Sequence, residues 1–396
     1  MAIISCFPQT AEGFGRGYIP PADWLTLDDC GEGNIQLLLN DTGPATYAFV
    51  CTASVGNYQI DWGDGTVLSY GSGVTAQHTY TVGSGKACIR GYTVFKAIIS
   101  PLSGGLLSFK SLPHSLTLQT QTPGILGCVI NSPTLTDLSD AFYATTSYCR
   151  FLEYAKILNG PKVVNTTNMF RMCQALKFVD LKNLPFLAEA GYMFYNCNSL
   201  QFMDISNLSA LSIASRMFYG CSALQSINIG DLPLLTAADH MFNLCSALQS
   251  ADISGLTAVT NAANMFYYNF SLKEIKADNF AESVEVVDLS DAFKDCEQLT
   301  FLSMPKAKVN RLSIYGSAAA KPNKLAALVF NSASSFGSST SPQLELKYNN
   351  LSAGALNDIF TLLPVVSGKT VNITGCTGAA ACDRSIATAK GWSVNG

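Results

Sequence analysis

Charge is scarce in this 396-residue chain: 13% of residues are Asp, Glu, Lys or Arg, and 24 Lys+Arg against 28 Asp+Glu give a formal net charge of -4. A mildly acidic balance leaves no electrostatic footprint for a phosphate backbone, so no nucleic acid partner is expected. Histidine is scarcer still, with only His78, His114 and His240, far apart in sequence. With no C-x-x-C pair the chain is not expected to bind zinc or another metal, and the scattered histidines give no preferred base for a triad. The nucleophile elbow G-x-S-x-G, the P-loop and the G-x-G-x-x-G fingerprint are absent, and Gly13-Phe-Gly-Arg-Gly17 does not follow a clear strand. No cofactor and no catalytic residue is therefore expected, although the carboxylate pair of a glycosidase is defined only by separation in space. No run of 18 apolar residues occurs, so no membrane insertion is expected. The start, Met1-Ala2-Ile3-Ile4-Ser5-Cys6-Phe7-Pro8, lacks the basic and apolar regions of a conventional secretion signal.

What is abundant is apolar: 48% of residues are hydrophobic, which argues against disorder. A chain of this length exceeds one ordinary core and implies two or three domains or an elongated repeat array. Self-similarity decides for the array. Met-Phe pairs recur at Met169-Phe170, Met193-Phe194, Met217-Phe218, Met241-Phe242 and Met265-Phe266, a spacing of 24 residues. The copies read Met-Phe-x-x-Cys-x-x-Leu-x-x-φ-Asp-φ-x-x-Leu, where φ is apolar, as in Met193 to Leu208. The Met-Phe, Cys and Leu positions line one face of a short helix or helical turn, and φ-Asp-φ alternates like a short strand. One such unit cannot bury its apolar face alone and is stable only when stacked. Leu224→Ala is expected to cost about 2–5 kcal/mol.

Thirteen cysteines would signal disulfides in a short secreted chain. Here Cys173, Cys197, Cys221 and Cys245 keep the repeat spacing, so they read as small buried hydrophobes stacked in register.

The motif resembles the BspA-type leucine-rich repeats of bacterial surface proteins over about residues 130–305. The resemblance implies a solenoid scaffold for binding or adhesion and no shared chemistry. Downstream, Asn331 to Pro342 is Ser-rich and reads as an exposed loop. Leu344-Glu-Leu is another repeat strand, Ser352 to Leu363 has helical spacing, Lys369 to Gly375 is strand-like, Asp383 to Lys390 is helical, and Gly391 stops that helix before Trp392-Ser-Val. This segment is placed to cap the open end of the array.

The N-terminal third differs. From residue 46 to about 100, runs rich in Tyr, Thr and Val alternate with turn signals and predict a small β-sandwich. Ile60-Asp61-Trp62-Gly63-Asp64-Gly65-Thr66 with His78-Thr79-Tyr80 resembles the signatures of polycystic-kidney-disease-type (PKD), immunoglobulin-like domains. The resemblance implies a core Trp62 and a tight turn in which Asp61 and Asp64 accept hydrogen bonds; a calcium loop is the rival reading, and two carboxylates make a poor cage. Phe14 to Leu27 forms an aromatic, Gly- and Pro-containing arm. Pro21-Ala-Asp-Trp-Leu-Thr-Leu, then the Asp-Trp-Gly-Asp-Gly-Thr segment, then Ser72 to Tyr80 is similar to an order found at the front of virion proteins of phages of Bacteroidota.

The expected fold is thus β-rich α/β: an arm over residues 1–45, an Ig-like PKD-type β-sandwich over 46–105, a leucine-rich-repeat solenoid over 106–342 with strict copies over about 165–280, and a terminal repeat and cap over 343–396. The repeat phase turns Lys177, Phe178, Asp180, Gln201, Phe202, Asp204, Gln225, Asn228, Gln249 and Asp252 outward on the strand face, the candidate binding surface. Asp180, Asp204, Asn228 and Asp252 form a row that reads as turn-bonding or solvated, and Tyr195, Tyr219 and Tyr267 as a half-buried stripe. Phe14, Tyr18 and Trp24 are the candidates for attachment to a particle. The expected function is a phage virion structural protein (tail, fibre or head decoration) that contacts a host surface glycan or protein, assembles with other virion proteins and forms homo-oligomers. A bacterial cell-surface adhesin is the alternative.

Overall fold

The computed structural model describes residues 30–40, 46–80, 87–89, 92–111, 124–143, 149–181, 183–317, 322–334, 336 and 343–396. The arm residues Phe14, Tyr18 and Trp24 lie outside them.

Nine strands come first: β1 (Asn34–Asn40), β2 (Thr46–Ala53), β3 (Asn57–Asp61), β4 (Val67–Gly71), β5 (Thr75–Thr79), β6 (Ala87–Ile89), β7 (Tyr92–Pro101), β8 (Leu106–Ser111) and β9 (Ile125–Asn131). The coils contribute β10 (Tyr154–Asn159), β11 (Phe178–Leu181), β12 (Phe202–Asp204), β13 (Ser226–Asn228), β14 (Ser250–Asp252), β15 (Glu274–Lys276), β16 (Val287–Leu289), β17 (Phe301–Met304), β18 (Val309–Ser313), β19 (Ala327–Phe330) and β20 (Leu344–Glu345). One sheet has the order β11-β10-β9-β1-β7-β3-β4, and a second has β5-β2-β8. The first passes from antiparallel pairs β1–β7 and β1–β9 to parallel pairs β9–β10 and β10–β11. In the second, Ser108 of β8 bridges Asp137, and single bridges continue through Asn165, Glu189, Ile213, Ala237 and Asn261 to Asp288. Both sheets therefore run through residue 105 without interruption.

The first sheet starts earlier than residue 46. β1, inside the stretch expected to be an arm, pairs on both edges, and its continuous apolar run fits a strand covered on both faces: Leu37, Leu38 and Leu39 are all fully buried. In the Asp-Trp-Gly-Asp-Gly-Thr turn, Asp61 Oδ1 accepts from Gly63 N (2.9 Å) and Asp64 Oδ1 from Thr66 N (2.8 Å). Asp64 Oδ2 lies 2.7 Å from His78 Nε2, His78 stacks on buried Trp62 at 5.0 Å, and Tyr80 donates its hydroxyl to the Trp62 carbonyl at 2.6 Å. Both carboxylates are thus engaged in holding the turn.

Inside the coils each apolar position stacks on its counterpart. Phe142, Phe170, Phe194, Phe218, Phe242, Phe266 and Phe293 form one column of near-parallel rings with centroid spacings of 5.3–5.6 Å. The column extends into the N-terminal strands through Phe109 (5.3 Å), Phe49 (5.8 Å) and Trp62 (5.7 Å).

The Met-Phe segments are hydrogen-bonded turns and not helices. Their phenylalanine amides are spent between coils: Phe170 N donates to Met193 O (2.9 Å), Phe194 N to Met217 O (2.8 Å) and Phe218 N to Met241 O (2.9 Å). A helix would use those donors within its own turn. The chain instead reverses through two left-handed residues per coil, at Asn168, Tyr192, Arg216, His240 and Asn264, and at Met172, Asn196, Gly220, Leu244 and Tyr268.

The cysteines do more than fill volume. Cys173, Cys197, Cys221 and Cys245 each direct Sγ to the carbonyl of the phenylalanine one coil back, at 3.1–3.2 Å, and Cys296 repeats this at 3.2 Å. In the one strict copy without cysteine, Asn269 Nδ2 makes the same bond to Phe242 O at 2.7 Å. Asn349 and Cys376 continue the pattern toward Ile314 O and Leu346 O.

After β15 the 24-residue spacing is lost, and Asn261 and Asp288, which bridge, are 27 residues apart. The Ser-rich stretch expected to be exposed contains buried Phe336, which packs edge-on against Trp392 at 4.9 Å. The end of the chain follows its sequence signals. Helix α1 (Ala353–Leu362) opens on Ser352, whose Oγ accepts from Ala355 N at 3.2 Å. β21 (Lys369–Asn372) and β22 (Trp392–Asn395) extend the second sheet in the order β16-β18-β20-β21-β22. Gly391 has φ 85°, and a Cβ there would meet Val366 O at 1.8 Å.

Two measurements test this interior. Cys221→Ala removes the thiol bond to the Phe194 carbonyl, which keeps Cys197 N as a donor at 3.0 Å, and is expected to cost about 1 kcal/mol in urea unfolding. Burial pushes the Cys221 thiol up to about 12, so alkylation at neutral pH should begin only as the array unfolds. In the irregular coils, Ser313 and Glu345 pair in register, yet Ser313 Oγ and Glu345 Oε1 have no hydrogen-bond partner. Burial raises the Glu345 pKa above its ordinary 4.5, and Lys347 at 3.9 Å and Arg311 reverse this only in part. Because the folded value is the higher one, stability falls as pH rises from the unfolded value through the folded one. Glu345→Gln should therefore raise the melting temperature more at neutral pH than at acid pH below the unfolded value.

Candidate binding surface

The strands β10 to β15, with β17 and β19, build one face, and alternation along each strand decides what it shows. In β11, Val179 and Leu181 point inward while Phe178 and Asp180 point outward; in β12 only Met203 is buried. All ten residues predicted for this face are outward, and none is buried.

Parallel register aligns them in rows. Tyr154 pairs with Phe178 and Phe202 with Ser226, so the aromatic row is Tyr154, Phe178, Phe202 before it turns to Ser226 and Ser250. Phe178 stacks on Tyr154 at 5.2 Å and joins a small apolar cluster with Leu38, Val129 and Cys30, whereas Phe202 is 47% exposed. Beside this row run Gln201, Gln225 and Gln249, whose backbones are joined by Gln225 N to Gln201 O (2.9 Å) and Gln249 N to Gln225 O (3.4 Å).

The carboxylate row is partly occupied by local bonds. Asp204 Oδ1 accepts from Ser206 N at 2.9 Å, and Asp252 Oδ1 from Ser254 N at 3.0 Å, each closing the turn that follows its strand. Asp252 also meets Lys276 at 3.0 Å. Burial alone would raise the Asp252 pKa, but the Ser254 bonds and Lys276 outweigh it and hold the carboxyl below its ordinary value. Lys177 Nζ is 2.8 Å from Glu153 Oε2 at the other end of the face. These pairs are partly exposed, so they fix side-chain positions more than they add stability.

Phe301, 51% exposed at the start of β17, belongs to this face but escaped the sequence reading. It lies 27 residues after Glu274 and not 24, so counting by the strict repeat passes over it; Leu299-x-x-Leu302-x-Met304 carries the signal. Phe186 and Leu234, 62% and 57% exposed, mark the corner leaving the face. Among the described residues no group of three or more His, Cys, Asp or Glu side chains is arranged to hold a metal ion.

These coils are leucine-rich repeats. A family model described as BspA type leucine rich repeat region matches residues 138–265 and 190–326 in six copies, so this stretch carries BspA-type repeats. The crystal structure of a leucine rich repeat protein from T. pallidum is similar to this chain with a TM-score of 0.32 and 18% identity, covering 45% of this chain and 82% of that one. No curated protein matches the chain.

Proposed function

We propose that this chain is a non-enzymatic binding and adhesion module whose strand face contacts a host-surface glycan or protein. The observation that carries the reading is Phe202, about half exposed between outward amides and carboxylates on a face braced at both ends by Lys–Glu and Lys–Asp pairs. A large aromatic ring held at the centre of a rigid face is the usual anchor of a binding surface, because its burial on contact needs little further ordering. The carboxylates on the same face serve turns and ion pairs, which favours recognition over acid–base chemistry.

At a finer level we assign the chain to a virion as a tail, fibre or head-decoration subunit. The support is the order of N-terminal segments that resembles phage virion proteins, together with a turn whose Asp, His and Trp contacts are those a PKD-like, Ig-like domain would use. In that setting the N-terminal third attaches to other virion proteins, the repeats face the host, and the subunits form homo-oligomers. A bacterial cell-surface adhesin is the second reading, favoured by the BspA-type repeats.

The purified protein should bind susceptible cells saturably, and Phe202→Ala should cost about 2 kcal/mol of that binding with the melting temperature unchanged. Phe178→Ala should cost less, because Phe178 already packs on Tyr154. Unaltered binding by both variants would remove the strand face from consideration. Mass spectrometry of purified particles and washed envelopes separates the two settings: a fixed ratio to capsid protein supports the virion, and enrichment in envelopes alone supports the adhesin.

A further inference from the structure

The Met-Phe turns carry a second surface of different chemistry. The residue after each phenylalanine forms a row that includes Tyr143, Arg171, Tyr195 and Tyr219. The Arg171 guanidinium carbon lies 5.0, 5.2 and 4.9 Å from the ring centroids of Tyr143, Tyr192 and Tyr195. Three rings fix its plane, and Nη1 donates to Asn168 Oδ1 at 3.2 Å. No carboxylate among the described residues lies within ion-pair distance of it, whereas Arg216 two turns of the cage away has Asp239 at 3.5 Å and Tyr192 Oη at 3.0 Å.

The tyrosines are not a stacking platform for a neutral sugar. Tyr195 and Tyr219 stack on one another at 4.7 Å with planes 5° apart, and the other neighbour of Tyr195 in the row is Arg171. Ring faces are covered, so edges and hydroxyls are what a ligand meets. A guanidinium without a carboxylate partner among the described residues, held beside three tyrosine rings, matches an oxyanion; a carboxylate takes its fork through two parallel hydrogen bonds. The rings hold Arg171 before the ligand arrives, which removes part of the ordering cost of binding.

We infer that the Arg171 cage is an anion-binding site that anchors an acidic polysaccharide on the turn edge, separate from the strand face. A polysaccharide is favoured over an acidic protein because Arg171 is a single cation without a carboxylate partner among the described residues, inside a cage of Tyr143, Tyr192, Tyr195 and Asn168, which suits one sugar carboxylate at a time.

The test is interferometry of the full chain on immobilised polygalacturonate, dextran sulfate and neutral dextran, at low and high salt. Wild type should bind polygalacturonate, lose that binding as salt rises, and ignore neutral dextran. Arg171→Met, which keeps an apolar stem in the cage, should weaken binding about tenfold or more without lowering the melting temperature, and Arg171→Lys should retain part of it. If Arg171→Met fails to fold, Tyr195→Phe, which removes only a hydroxyl, should still weaken binding. Phe202→Ala should leave it unchanged, so failure here and failure of the strand-face reading are told apart. Preference for polygalacturonate over dextran sulfate assigns a planar carboxylate, and equal binding assigns an oxyanion of either kind. The inference is overturned if wild type binds neither acidic polymer, if neutral dextran binds equally, or if folded Arg171→Met or Tyr195→Phe binds as wild type does.

Discussion

Each coil places the phenylalanine carbonyl of its Met-Phe turn inside an apolar core, where one lone pair accepts from the turn's own backbone and the second has no water to bond. The array meets this at every level with a side chain from the next coil: a thiol at Cys173, Cys197, Cys221, Cys245 and Cys296, an amide at Asn269. Within its own turn the same carbonyl accepts one backbone amide, as Phe194 O does from Cys197 N at 3.0 Å, and the neighbouring coil's side chain takes its second lone pair. This ties stacking to folding: an isolated coil would lack both its apolar cover and the hydrogen bond from the next coil's side chain. The phenylalanine column runs beside this ladder, with rings 5.3–5.6 Å apart from Phe142 to Phe293.

A stack of this kind has two open ends, and each is handled differently. At the C-terminal end, α1 and the parallel pair β21–β22 close the second sheet, with Trp392 buried against Phe336. At the N-terminal end both sheets continue into antiparallel strands, β9 pairing with β1 on one side and β8 with β2 on the other. The ring column passes through the same junction from Phe142 to Phe109, Phe49 and Trp62. Among the described residues the antiparallel strands therefore continue directly into the first coil.

Much of this was legible in the sequence because stacking repeats every interior decision. The outward placement of Phe178 and Phe202 follows from the phase of Leu-x-x-φ-x-φ, and α1 follows from Ser352 ahead of a helical spacing. Three features were not legible, each for a physical reason. The Met-Phe turn reads as helical because three-residue spacing alone does not reveal that its amides bond to the next coil. The thiol ladder is hidden because cysteine has the volume of a small hydrophobe, and only Asn269, in the same place, hints that a donor is required. β1 was assigned to an arm because a strand covered on both faces shows no alternation.

The two surfaces of the coils differ because the backbone treats their side chains differently. On the strand face, parallel pairing sets side chains perpendicular to the sheet, so Phe202 stands half exposed beside the small Ser226 of the next coil. On the turn edge, left-handed residues at Tyr192 and Arg216 fold the side chains along the stack, and aromatic rings there cover one another and the cations between them. Identical aromatic content thus yields an exposed ring in one place and a caged charge in the other. Repetition makes this possible, since a 24-residue unit allows each row to vary independently while the Phe, Cys and Leu rows beneath it stay constant. A solenoid of this sequence can therefore change what it recognises without altering what holds it together.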